Sequence, residues 1–276
     1  VAEPFDSYPH PVKLLLADLD GTITADEMRP LDCEELGVLR RYNVRSREDK
    51  AYPPISLITG RPHSYVEAFA RFLATPLPSL FESGCGMHLP AARLGYEYLF
   101  HPALAVPAVA EAVARFYRWA EEELVARRGA GLILGKRYAI SLAAGDYCCL
   151  DELLAAVRGM PAELAERFFV TRSADVVDIT PQPVNKGAGF EWLLAYGRAE
   201  LGLDVAAANV VGVGDSPNDV PFLAKVGIPC AVAGAAPAVR EVARYVTREP
   251  VGGAVPEVVA RAVELNRRLG YAGPHG

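Results

Sequence analysis

The stretch Val12-Lys13-Leu14-Leu15-Leu16-Ala17-Asp18-Leu19-Asp20-Gly21-Thr22 decides how this chain is read. Its apolar run, interrupted only by Lys13, has the length of a strand and no polar alternation. Such a run fits a strand buried on both faces, as in a parallel sheet flanked by helices. It ends abruptly in two carboxylates separated by one residue. On an ideal strand these side chains would point to opposite faces. Gly21 lets the chain turn, so that both can address one centre.

Working outward, the pattern of apolar strand followed by polar turn recurs. Ile55-Ser56-Leu57-Ile58 runs into Thr59-Gly60-Arg61, and Pro62 then opens a helical pattern through Tyr65, Val66, Phe69, Phe72 and Leu73. Leu80-Phe81-Glu82-Ser83-Gly84 reads as a third short strand with a glycine exit. Later, residues 209–213 form an apolar strand ending in Gly214-Asp215-Ser216-Pro217-Asn218-Asp219. A short helix over 220–226, a strand over 229–232 and a final helix over 255–269 follow.

Between these parts the character changes. Helical periodicity over 105–127 and 150–158 mixes with short strand-like runs at 132–134, 138–142, 168–170 and 176–179. After Pro181-Gln182-Pro183 a helix is expected over 186–199. Strands alternating with helices imply βαβ units and a parallel sheet. The expected architecture is an α/β core of residues 12–84 and 182–276. Residues 85–181 form an inserted α+β cap, and residues 1–11 a loose lead-in.

Composition narrows the function. Of the 276 residues, 51% are hydrophobic, enough for a sizeable core, and the formal charge of −6 argues against a nucleic-acid surface. The first residues carry no basic n-region, and Leu14 to Ala17 is far shorter than the roughly 20 residues of a membrane span. Neither a membrane nor a nucleic-acid partner is expected. The five cysteines, odd in number and without a CxxC pair, fit free thiols in a reducing cytoplasm.

Four polar clusters fall at expected strand or helix ends, the edge where open α/β sheets bind ligands. If the ligand is a phosphate monoester, each has a task. Asp18 is a candidate nucleophile, and Asp20 a candidate acid and base for the leaving alkoxide and the attacking water. A calcium loop would need further oxygen ligands at fixed spacing, which Ile23, Thr24 and Ala25 do not supply. The Thr59 hydroxyl and the Gly60 backbone can hold a phosphate oxygen, with Arg61 facing the substrate or capping local carbonyls. Lys186 can offset charge on a transferring phosphoryl group, with Asn185 adding a hydrogen bond. Asp215 and Asp219 suit a hard divalent cation such as Mg²⁺, although Asp or Ser in this loop also fits a helix cap.

In order and spacing, the motifs from Asp18 to Thr22, at Thr59, at Lys186 and from Gly214 to Asp219 resemble the four signatures of the haloacid dehalogenase superfamily. The resemblance implies a Rossmann-like core, with the insertion similar to the large α/β cap of the sugar-phosphatase-like branch. It implies that Asp18, Asp20 (through its backbone carbonyl), Asp215 and Asp219 surround Mg²⁺, and that Thr59 and Lys186 bind the phosphoryl group. Glu82-Ser83-Gly84 resembles the branch's Glu-Asn-Gly loop, with Ser in place of Asn. The second acid, Asp20, implies a phosphatase or phosphomutase acting through an aspartyl-phosphate, not a dehalogenase. The expected partner is a small phosphorylated metabolite, a phosphosugar or phosphoglycolate-like acid. A non-catalytic phospholigand-binding protein is the rival reading. Substrate contacts are expected from the cap, with Arg137 and Arg172 ranked ahead of His88, Arg93, His101 and Lys136.

Overall fold

The computed structural model describes residues 4–25, 29–90, 97–145, 149–173 and 175–273. The core is a five-stranded parallel sheet in the order Tyr245–Val246, Ile228–Ala231, Val210–Gly214, Leu14–Ala17, Ile55–Leu57. All strands run the same way, so Asp18, Thr59 and Asp215 emerge at one sheet edge. Every residue of Leu14–Ala17 is buried, because helices cover both faces. Leu15 and Ala17 pack with Leu36, Phe69 and Val259 on one side. Leu14 and Leu16 pack with Phe190, Leu193 and Phe222 on the other. This two-sided burial explains the continuous apolar run.

The cap is a four-stranded antiparallel sheet, ordered Gly131–Ile133, Ile140–Ala143, Val176–Pro181, Phe168–Arg172. Helices Pro107–Ala120 and Leu150–Arg158 bury Phe116, Leu153 and Val157 against Ile140, Leu142, Val177 and Ile179. Side chains alternate across a strand. Ser141 and Asp178, paired in register, therefore face the other way, toward the core.

The described structure departs from the expected boundaries in several places. Gly86–Leu89 pairs with Ser79–Phe81, and Glu97–Phe100 with Gly86–Leu89, in a three-stranded antiparallel sheet separate from the cap sheet. The change of architecture thus falls after Phe100, not at Cys85. The lead-in is not loose where described: Pro4–Ser7 is a helical turn with Phe5 buried edge-on against Tyr245 at 5.4 Å. Helix Cys33–Arg45, capped by Asp32, was not expected. Its inner face carries Asn43, which breaks the apolar pattern. Helix Pro237–Val242 and edge strand Tyr245–Val246 were likewise not anticipated. No helix among the described residues is long and apolar enough to cross a membrane.

Two buried asparagines tie the edges of the core. Asn43 accepts from the Ile55 N–H at 2.7 Å and donates to the Leu73 carbonyl at 3.0 Å. Asn266, in helix Ala254–Arg268, accepts from the Val12 N–H at 2.7 Å. It also donates to the carbonyls of Val12 at 2.8 Å and Ala51 at 3.0 Å. An unpaired buried polar group costs about 1–3 kcal/mol. Asn266→Ala is therefore expected to lower stability by roughly 3 kcal/mol, read as a shift of the urea midpoint at constant slope.

Candidate active site

The chain turns sharply where strand Leu14–Ala17 ends. Gly21 has φ +77, and a Cβ there would lie 2.4 Å from an Asp215 carboxylate oxygen. Only glycine admits both the backbone conformation and this approach. Thr22 donates its hydroxyl to Asp215 Oδ1 at 3.1 Å, joining the first loop to the late acidic loop. The turn brings the DxDGT segment and Asp215 together across adjacent strands.

Lys186 opens helix Lys186–Glu200 and is 1% exposed. Its ammonium lies 2.7 Å from Asp18 Oδ2 and 2.6 Å from Asp219 Oδ1. The second Asp219 oxygen accepts from the backbone N–H groups of Asp215 and Ser216, both at 3.0 Å. Asp219 thus shapes its own loop and holds the lysine. Ligand oxygens of Asp18, Asp215 and Asp219 all lie within 4.8 Å of one another.

The electrostatics follow from crowding. Burial pushes the Asp18 carboxyl well above the usual aspartate range, and Asp219 and Asp215 add to this against the pull of Lys186. Burial and Asp219 push Asp215 up to about 7. Burial alone would lower the Lys186 value, but Asp18 and Asp219 outweigh it and keep the ammonium protonated. Three carboxylates share one buried ammonium, so the cluster has room for more positive charge.

Thr59 is 1% exposed and its hydroxyl accepts from the Arg61 N–H at 3.2 Å. Arg61 grips Asp20 at two points, Nε to Oδ2 at 2.7 Å and Nη2 to Oδ1 at 2.9 Å. Its guanidinium also lies over the Tyr65 ring at 4.6 Å. Asp18, Asp20, Thr59, Gly60, Arg61 and Asp215 line the core side of one cleft. Across it, the cap contributes Lys136 and Asp178, among others. Lys136 contacts the Ser141 hydroxyl and lies 3.5 Å from Asp178 Oδ1. Ser141 also bonds Asp178.

Other expected contacts lie elsewhere. Arg137 places its guanidinium 4.9 Å over the Phe100 ring and does not line the cleft. Its neighbour Lys136 does. Arg172 shares the helix-facing side of its strand with Phe168 and Val170, and pairs with Asp151 at 3.1 Å. Asn185 does not line the cleft; it caps its helix by accepting from the Ala188 N–H at 3.0 Å. His88 is buried 3.2 Å from His63, and His101 packs on Trp192. Arg93 lies outside the described residues. Ser216 and Asn218, bonded to each other at 2.9 Å, line the cleft and were not singled out beforehand. Their place within GDSxND was the available signal.

A family model described as haloacid dehalogenase-like hydrolase matches residues 147–259, which include Lys186, Asp215 and Asp219. The phosphoglycolate phosphatase of Methanothermobacter thermautotrophicus is 25% identical over 262 residues, 91% of this chain and 98% of that protein. That of Metallosphaera sedula is 26% identical over 249 residues, 90% and 97% of the two. Among solved structures, the Thermoplasma acidophilum 0175 protein aligns with TM-score 0.68 and 18% identity, covering 93% of this chain and 100% of that one. The Synechocystis sucrose-phosphatase aligns with TM-score 0.62 and 19% identity, covering 92% and 98%. These structural likenesses concern the fold: a parallel-sheet core with an inserted cap. With the DxDGT turn, the Thr59 turn, Lys186 and the late acidic loop meeting at one sheet edge, the chain is similar to the haloacid dehalogenase-like hydrolases in its matched segment and in its fold.

Proposed function

We propose that this chain is a Mg²⁺-dependent phosphatase of small phosphorylated metabolites, with Asp18 as nucleophile and Asp20 as general acid and base. One observation carries the reading: Asp18 and Asp215 sit within one cation's reach, beside a buried lysine and beneath a polar cap.

The donor set fits the metal. Asp18 and Asp215 offer hard carboxylate oxygens, and the one Lys186 ammonium does not balance the three carboxylates of the cluster. Asp219 fits less well as a direct ligand, since both its oxygens are engaged by Lys186 and the loop backbone. The Asp20 carbonyl is the further candidate implied by the family resemblance. When bound, the ion supplies positive charge that offsets the carboxylates and the phosphoryl oxygens.

In the first step an Asp18 oxygen bonds to phosphorus and the bond to the leaving oxygen breaks. Asp20 gives that oxygen its proton. To do so, Asp20 leaves the Arg61 pair in protonated form. In the second step water attacks phosphorus, Asp20 takes its proton, and the bond to Asp18 breaks to release inorganic phosphate. Lys186 and the Thr59 hydroxyl hold the phosphoryl oxygens.

The cap bears on the substrate. Lys136, Ser141 and Asp178 give it donors and acceptors, matching a leaving group with hydroxyl or carboxylate oxygens. Phosphoglycolate and phosphosugars both meet that description, and the similar proteins named above carry both kinds of activity in their names. A phosphomutase would need the cap to hold a second phosphate. The one cap lysine facing the cleft is already paired with Asp178, which favours the hydrolase.

Asp18→Asn is expected to reduce Mg²⁺-dependent phosphate release by about a thousandfold or more. Asp20→Asn should slow an alkyl phosphate by roughly 10²–10⁴-fold. It should slow p-nitrophenyl phosphate far less, since p-nitrophenolate departs with little protonation. Equal losses on both esters would remove Asp20 from the acid's role.

Cation binding should depend on pH in a set direction. Asp215 titrates near 7 in the folded, metal-free protein, against an ordinary 3.8. Between these values the folded protein holds a proton that the unfolded chain has released. This term favours the metal-free fold below the lower value and is lost as pH rises through the upper one. A cation must displace that proton. The Mg²⁺-induced rise in Tm should therefore be larger at about pH 8 than at about pH 5.5, as scanning calorimetry would show.

A further inference from the structure

Glu82 has no part in the chemistry above, yet it is 2% exposed. It follows core strand Ser79–Phe81, but its carboxylate reaches into the cap. Oε1 accepts from the Arg137 N–H at 2.9 Å. Oε2 accepts from the N–H groups of Tyr138 at 2.8 Å and Ala139 at 3.0 Å. Three successive backbone donors thus converge on one side chain, a small anion-binding nest. A carboxylate, with two oxygens and no hydrogens, suits all three at once.

The loop that carries Glu82 is unusual. Glu82 and Ser83 both lie in the left-handed region, at φ 49 and φ 56. Non-glycine residues hold such conformations where their surroundings over-determine them. Here the surroundings are the active-site loops. The Glu82 N–H donates to the Arg61 carbonyl and the Ser83 N–H to the Thr59 carbonyl, both at 2.9 Å. Gly84 follows at φ +95, where a Cβ would lie 2.6 Å from the carbonyl of Asn185, the residue before Lys186.

The cap segment that Glu82 grips is equally placed. Lys136, immediately before it, lines the cleft. Gly135, at φ +94, sits against Pro62, where an added Cβ would be 3.8 Å from the proline ring. We infer that Glu82 is a positioning residue: its carboxylate latches the cap segment 137–139 to the Thr59–Arg61 loop and so seats Lys136 over the reacting centre. The latch rests on its own geometry, while its effect on turnover rests on the phosphatase reading.

The test uses the full chain with Mg²⁺, comparing wild type with Glu82→Gln, Lys136→Ala and the double variant. Gln keeps the size but presents one oxygen, so the nest loses an acceptor. Amide hydrogen exchange at 137–139 should quicken about tenfold or more in Glu82→Gln, while amides of Leu14–Ala17 keep the wild-type rate. For an alkyl phosphomonoester, kcat/KM should fall about tenfold, mainly through KM. In the double variant the loss should be well short of the two single losses combined, because both act through one side chain's placement. Unchanged exchange at 137–139 would overturn the latch. Quickened exchange with wild-type kcat and KM would reduce Glu82 to a structural residue and overturn its positioning role. A wild type that hydrolyses no phosphomonoester would sink the phosphatase reading instead, and the exchange measurement would still decide the latch.

Discussion

The site depends on one buried ammonium. Lys186 lies between Asp18 and Asp219, bonded to both, in a place water does not reach. A buried charge is tolerable only when it is paired and hydrogen-bonded. The pairing ties together three distant parts of the sequence: the first strand, the helix that returns from the cap, and the late acidic loop. Asp219 passes the constraint on through its other oxygen, which fixes the backbone of Asp215 and Ser216. The ammonium does not balance all the carboxylates around it. Burial, with that shortfall added to it, raises Asp18 and Asp215 above ordinary aspartates, and their oxygens lie close enough together to hold a cation.

The cap shows how a sheet half covered by helices becomes a polar roof. Ile140, Leu142, Val177 and Ile179 are held on one face by Phe116, Leu153 and Val157. Strand alternation then leaves Ser141 and Asp178 on the other face, with Lys136 closing on both. Strand Leu14–Ala17 of the core has helices on both sides and no free face, so it carries no such residue. The polar groups that follow it gather at one end, where the chain leaves the sheet. Cap and core thus present polar surfaces to one another for different geometric reasons.

Much of this was legible in the sequence, because two-sided burial writes itself as short apolar runs and active loops follow those runs directly. Asp18, Asp20, Thr59, Arg61, Asp215 and Asp219 follow such runs, Lys186 stands at a helix start, and the fold brings them to one sheet edge. Other features were hidden for physical reasons. Helix Cys33–Arg45 buries Asn43 to serve the backbone of Ile55, so its inner face does not read as apolar. Asn185, next to Lys186, suggested a phosphate contact, but its oxygen is spent on the helix end. Arg137 and Lys136 are adjacent basic residues in a turn, and only the path of the turn determines which one faces the cleft. Arg172 sits on a strand whose alternate side chains pack under a helix, a parity that short runs do not fix. Glu82 looked like part of a variant loop, since nothing local reveals that its partners lie beyond residue 136.

The loop from Thr59 to Arg61 links these observations. The Arg61 side chain holds Asp20, while its carbonyl accepts from Glu82, whose carboxylate holds the cap. One residue therefore stands between Asp20, the proposed acid, and the seat of the roof. A cap that lifted from the core while this latch held would pull on the same loop that fixes Asp20. Cap and Asp20 are then not independent parts: in the proposed reaction, the arrangement that shelters the site from bulk water also sets where the proton donor waits. This coupling needs no long pathway. It runs through one strand end, one ion pair and one carboxylate, each short, directional and buried enough to resist screening.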